Sequence, residues 1–198
     1  MIKKITIAID AMGGDDAPKK NIEGLSIFLK NNKKKNDFLI YLFGDEKLIK
    51  EELTKNNITN EFVKVMHTDG VVSDEETPLT AIKNSKNTSM WNSVKSQIEG
   101  DADITLSAGN TGVLLVISKM ILKMMNKVSK PALAGLWPSD KDMSVVLDLG
   151  ANIECDEKNL IDFSEMGAAL YKSIFPKKKP HVSLLNIGSE EIKGTETL

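Results

Sequence analysis

Six consecutive residues, Ser107-Ala108-Gly109-Asn110-Thr111-Gly112, combine what an oxyanion needs from a protein. Glycine accepts positive φ and has no Cβ, so the backbone at Gly109 and Gly112 can approach a ligand closely. The stretch lies between a short apolar strand, Ile104-Thr105-Leu106, and an apolar helix running from Val113 to Met125. The unpaired N–H groups at a helix start, with the positive end of the dipole behind them, make an anion site. Ser107, Asn110 and Thr111 add side-chain donors to the same spot. The chemistry indicated is phosphoryl or acyl transfer. The spacing matches neither the P-loop nor the dinucleotide fingerprint, so on this stretch alone a structural turn stays open.

Three further segments repeat the arrangement of an apolar run ending in small, acidic or amide residues. Ile5 to Ile9 runs into Asp10-Ala11-Met12-Gly13-Gly14-Asp15-Asp16-Ala17-Pro18. Val145 to Leu147 runs into Asp148-Leu149-Gly150-Ala151-Asn152, and Val182 to Ile187 into Gly188-Ser189-Glu190-Glu191-Ile192-Lys193-Gly194. Four such strand ends describe one edge of an open sheet, where α/β folds hold ligands.

The elements that must position these loops follow from periodicity. Strands are predicted at 3–10, 37–44, 61–67, 102–107, 132–136, 143–148 and 181–187, and helices at 18–31, 45–56, 77–86, 88–99, 111–125 and 157–174. Their alternation argues for an α/β fold, a three-layer Rossmann-like sandwich around a mostly parallel sheet. Ile22, Leu25 and Phe28 or Leu29 recur at helical spacing behind Pro18, a residue tolerated at a helix start. At 198 residues one domain is the default expectation.

Taken in order, Asp10 to Pro18, Ser107 to Gly112, Lys130-Pro131-Ala132-Leu133-Ala134, Leu147 to Asn152 and Leu184 to Gly194 resemble the phosphate acyltransferase family, the acyl-ACP:phosphate enzymes of bacterial phospholipid synthesis. The resemblance spans residues 3 to 198. It implies a dimeric, cytoplasmic α/β enzyme that moves a fatty acyl group from acyl carrier protein to inorganic phosphate, giving an acyl phosphate. Two departures accompany it. Asp16 stands where the family usually has His, exchanging a possible proton donor for a carboxylate. Family members also continue past the Asn186-Ile187-Gly188 segment, so the resemblance implies an incomplete fold. The remaining strands, further glycine loops and a hydrophobic hairpin for peripheral membrane contact would then lie outside this chain. The alternative expectation is a non-catalytic remnant, or one half of a split enzyme inactive alone. A dinucleotide-dependent dehydrogenase is disfavoured, since no G-x-G-x-x-G follows the first strand.

The substrates so implied demand little of the protein's side chains. Phosphate is largely a dianion at neutral pH, and a thioester's leaving thiolate derives from a thiol of pKa about 8.5. Catalysis then reduces to holding phosphate against the carbonyl and offering donors to the oxyanion. Ser107, Gly109, Asn110, Thr111 and Gly112 suit the phosphate, while Asn152 and Asn186 suit the oxyanion. Gly13, Gly14, Asp15 and Asp148 are candidates for substrate loops. Asp10 and Asp148 fit either a chemical role or caps of neighbouring loops, and Lys193 either pairs with phosphate or is solvated. No cofactor is called for. Two scattered His and one Cys, Cys155, are too few for an expected metal site.

Composition agrees with a packed soluble chain, with 41% hydrophobic residues, 13 glycines and a net charge of −2. Nothing in that balance asks for nucleic acid. All 26 basic residues are Lys, so phosphate must be met by Lys, backbone N–H groups and hydroxyls, not by Arg forks. A single cysteine excludes an intrachain disulfide and fits a reducing cytoplasm. The lysine runs at 33–35 and 177–179 read as solvated loops, with docking of acidic acyl carrier protein as the alternative.

Overall fold

A computed structural model describes residues 4–32, 37–59, 61–73, 75–140 and 142–185. The chain forms two compact units, residues 1–123 and 124–198.

The first unit is built on a four-stranded sheet in the order β3-β2-β1-β4, every pairing parallel. Its strands are β1 (Ile5–Asp10), β2 (Phe38–Gly44), β3 (Val63–His67) and β4 (Ile104–Ser107). Side chains alternate across the sheet, as the pleat requires. Ile40 and Leu42 of β2 join Ile22 and Leu25 of α1 (Lys19–Asn31) and Ile49 and Leu53 of α2 (Glu46–Lys55) in one core cluster. Ala8 and Phe43 point the other way, into a cluster with Ala102. On that side α4 (Ser89–Ile98) touches β1, β2 and β4. A further cluster joins Met90 and Val94 of α4 to Val113 and Ile117 of α5 (Thr111–Leu122), which also packs on α3 (Pro78–Asn84). Helices therefore cover both faces of a parallel sheet, the α/β sandwich expected from the sequence. Each fully buried aliphatic side chain, such as Ile22 or Ile40, contributes about 1.5–3 kcal/mol.

The second unit holds a two-stranded antiparallel ribbon, β5 (Gly135–Pro138) and β6 (Met143–Val146), with α6 (Glu157–Ile174) against β6. A capping box starts α6. Asp156 accepts the Asn159 N–H, Asn159 returns the bond to Asp156 N–H, and Asn159 Nδ2 donates to Ser129 Oγ at 2.8 Å.

Three sequence expectations are corrected here. The segment Val145 to Leu147 does not extend the sheet of β1 and β4, because β6 pairs only with β5 among the described residues. The turn joining β5 to β6 is closed by Ser139 N–H and Oγ–H donating to Asp142 O, and so short a link permits only antiparallel pairing. The strand predicted at 132–136 begins at Gly135, because the Leu133 N–H is taken by Asp148 Oδ1 at 2.7 Å and not by a ladder. Residues 181–185 form no strand. Val182, Leu184 and Leu185 are exposed, and an apolar run without a ladder partner has nothing to hold it extended. Positions 186 and 187 of that expectation lie outside the described residues. Among the described residues no helix is long and apolar enough to cross a membrane.

Candidate functional site

The parallel register of β1 with β4 sets Asp10 directly beside Ser107 at the carboxyl ends of the two strands. Ser107 Oγ–H donates to Asp10 Oδ2 at 2.7 Å, and the Gly109 N–H donates to Ser107 Oγ at 3.1 Å. The two loops meet backbone to backbone. A Cβ at Gly13 would lie 2.5 Å from Asp10 Oδ2 and 2.9 Å from the Gly109 nitrogen, so only glycine fits there. Gly14, at φ +88°, lies against Ala108 in the same way, with Ala108 O only 2.7 Å from where its Cβ would be. Asn21 of α1 ties the first loop down, its Nδ2 donating to Ala11 O at 2.9 Å and Gly13 O at 3.0 Å.

Asp10 is 1% exposed. Burial pushes its carboxyl above the ordinary aspartate range, opposed by the neighbouring Ser89 and Ser107 hydroxyls and the Met12 and Gly13 N–H groups. Asp10 Oδ1 and Ser89 Oγ are both buried, and neither has a hydrogen-bond partner among the described residues.

Asn110 is the N-cap of α5. Its Oδ1 accepts the Val113 N–H at 3.1 Å, its backbone carbonyl accepts from Leu114 N–H at 2.9 Å, and its Nδ2 donates to Glu76 O at 3.1 Å. The side chain that the sequence offers as a ligand donor is thus spent on starting the helix and holding the segment before α3. Thr111 and Gly112, in the first turn, are exposed. Their backbone N–H groups lie at the positive end of the helix dipole, where an anion is stabilised. A hollow of about 360 Å³ adjoins the loop, its lining largely apolar (Ile7, Ile9, Leu25, Phe28 and Leu106 among others) but including Asp10, Lys20 and Asn21 together with Ser107 and Ala108.

In the second unit Asp148 and Asn152 form a knot of their own. Asp148 Oδ1 accepts Leu133 N–H, and Asp148 Oδ2 accepts both Asn152 N–H at 2.7 Å and Asn152 Nδ2 at 3.0 Å. Desolvation works to raise the Asp148 pKa, but the bonds from Leu133, Asn152 and Ala151 outweigh it and hold the carboxyl below its ordinary value. Asn152 Nδ2 also donates to Pro131 O at 2.7 Å, so both amide hydrogens are engaged. These two residues serve here as a clasp between the segments at 131–133 and 148–152.

The remaining candidates are placed as follows. Asp15 is exposed, as is Asp16, whose carboxylate meets Lys20 Nζ at 3.0 Å across one turn. Asn186 and Lys193 lie outside the described residues. Among the described residues no three His, Cys, Asp or Glu gather as metal ligands. Sequence reading missed Asn21, Ser89 and Glu76. An asparagine on the buried side of an amphipathic helix was a usable signal for Asn21, whereas Glu76 contributes only a carbonyl, for which residue type carries no signal.

Comparison with known proteins decides the family. The family model described as fatty acid synthesis protein matches residues 5–198. The chain belongs to that family. Among curated relatives, a phosphate acyltransferase of Pelagibacter ubique (strain HTCC1062) is 52% identical over 198 residues, covering all of this chain and 58% of its own length. A phosphate acyltransferase of Bradyrhizobium diazoefficiens is 41% identical over 199 residues, covering all of this chain and 56% of its own. The chain therefore spans a little over half the length of these relatives. Among solved structures, EutD phosphotransacetylase from Staphylococcus aureus matches with a TM-score of 0.63 at 14% identity, covering 88% of this chain and 55% of that one. At that identity the likeness concerns the fold, and it agrees with the α/β architecture of this family member.

Proposed function

We propose that this chain carries the phosphate-holding part of an enzyme that transfers a fatty acyl group from acyl carrier protein to inorganic phosphate, yielding acyl phosphate for phospholipid synthesis. The observation that carries the reading is the meeting of the β1 and β4 loops at the start of α5. There Gly13 sits against Gly109, while exposed Thr111 and Gly112 begin the helix. The relatives' description as phosphate acyltransferases supports it. In this reading the backbone N–H groups of Thr111 and Gly112, with the Thr111 hydroxyl, hold the phosphate. A phosphate oxygen attacks the thioester carbonyl carbon, the C–S bond breaks and sulfur leaves as thiolate. The hollow sharing Ser107 and Ala108 with the loop is largely apolar, which suits an acyl chain, with Asp10, Lys20 and Asn21 as its polar part. No side-chain nucleophile is needed, because the phosphate dianion is the nucleophile. The reading further places the chain in a cytoplasmic homodimer.

Hydroxylamine trapping of acyl phosphate tests the reaction. Acyl carrier protein charged with a fatty acid is incubated with the chain, with and without inorganic phosphate. Hydroxamate formed faster with phosphate than the background that the thioester itself gives without it supports the proposal. Hydroxamate formed equally without phosphate, or none above that background even when a fragment supplying the rest of a longer relative is added, counts against it.

A further inference from the structure

Asp10 is almost wholly buried, and it stands beside Ser107 in the lining of the hollow next to the loop. Its Oδ2 is occupied by the Ser107 hydroxyl, and that same oxygen of Ser107 accepts the Gly109 N–H. Gly13 packs over this contact so closely that a Cβ would collide with Asp10 Oδ2. On the other carboxylate oxygen, Oδ1, and on the hydroxyl of Ser89 in the first turn of α4, hydrogen-bonding capacity is left over, both atoms being buried. Ser89 is the second hydroxyl bearing on this carboxyl.

We propose that Asp10 is a positioning residue that acts through Ser107. It fixes the hydroxyl that holds Gly109, and so aims the N–H groups of Thr111 and Gly112 at the phosphate, with Ser89 steadying the other carboxylate oxygen. The proposal rests on the reading of this loop as a phosphate site. It gives Asp10 the work of an acceptor, not of a base. A dianionic phosphate has no proton that must be removed before attack. It also explains why the carboxyl is buried beside an anion site at all: what the loop uses is an oxygen lone pair at a fixed place.

The test compares the full chain with Asp10→Asn, Asp10→Ala, Ser107→Ala, Ser107→Thr and Ser89→Ala. Two readouts are taken: affinity for inorganic phosphate by calorimetry, and hydrogen exchange of the Gly109 amide by NMR. Asparagine keeps an acceptor for Ser107 and threonine keeps the hydroxyl, so these two variants are expected to retain parental affinity and Gly109 protection. Asp10→Ala and Ser107→Ala are expected to weaken phosphate by about tenfold, the worth of one buried hydrogen bond, and to lose the protection. Ser89→Ala is expected to share the loss of affinity, and unchanged affinity there removes Ser89 from the proposal. Asp10→Asn binding as poorly as Asp10→Ala would show that the charge matters and would overturn it. Gly109 protection unchanged in Ser107→Ala would do the same. If the parent fails to bind phosphate, the phosphate reading falls, while the Gly109 exchange pattern still decides whether the relay exists.

Discussion

Gly109 and Gly112 do different work although the sequence presents them as a pair. A Cβ at Gly109 would come within 3.3 Å of the Gly13 backbone and 3.0 Å of Met90 Cε, so a side chain there pushes the two loops apart. At Gly112 the nearest atoms would be Asn110 Oδ1 and Pro78 Cγ, both at an ordinary 3.5 Å. A substitution at Gly112 therefore disturbs the loop less than one at Gly109. The two aspartates at strand ends also separate. Burial raises the Asp10 pKa, so the native state binds that proton more tightly than the unfolded chain. Its contribution to stability is greatest in acid and declines as pH climbs from the ordinary aspartate value through the native one. Asp148 is lowered, so its contribution is present above the ordinary value and is lost as pH falls through the native one. Denaturant melts across pH 3–7, a range set by the ordinary carboxylate values of about 3.9 and the two opposite shifts, check this. Asp10→Asn should gain on the parent as pH rises, and Asp148→Asn should lose on it. The same sign for both would contradict the account. The sequence marked both aspartates as either chemical or capping. It could not choose, because the choice depends on partners 97 residues away for Asp10 and 15 for Asp148.

At the scale of elements, the start of α5 is the most informative. Its N-cap was legible, since asparagine before an apolar helical run is a strong cap signal. The bond from Asn110 Nδ2 to Glu76 O was not, because it joins segments 34 residues apart. Asn110→Ala should destabilise the chain by about 1 kcal/mol through the lost cap, as read by chemical denaturation. It should also weaken phosphate, since the N–H groups of the first turn lose their fixed start. Unchanged stability together with unchanged affinity would place the helix start outside the site. The first-unit strands and helices were readable because hydrophobic periodicity and burial agree there: Ile22 and Leu25 face the core at the spacing that announced them. The second unit was read less well for a physical reason. Leu133 and Asn152 are held by the Asp148 carboxylate, and a side-chain tie of this kind leaves no periodic trace. At 181–185, apolar residue types suggested a strand where no ladder partner exists among the described residues.

For the molecule as a whole, family membership was visible in the order of five loop segments, and the α/β sandwich in the alternation of elements. The arrangement of the loop at 107–112 was partly visible: its glycines and helix start were in the sequence, but the use of Ser107 and Asn110 as internal ties was not. The central claim is that this chain binds phosphate through backbone N–H groups at the start of α5. NMR titration of the full chain with inorganic phosphate, beside the Gly112→Val variant, tests it most directly. The account predicts saturable amide shifts centred on Thr111 and Gly112 in the parent, and their loss in a variant that remains folded. Shifts centred elsewhere, equal shifts in the variant, or none in the parent would contradict it.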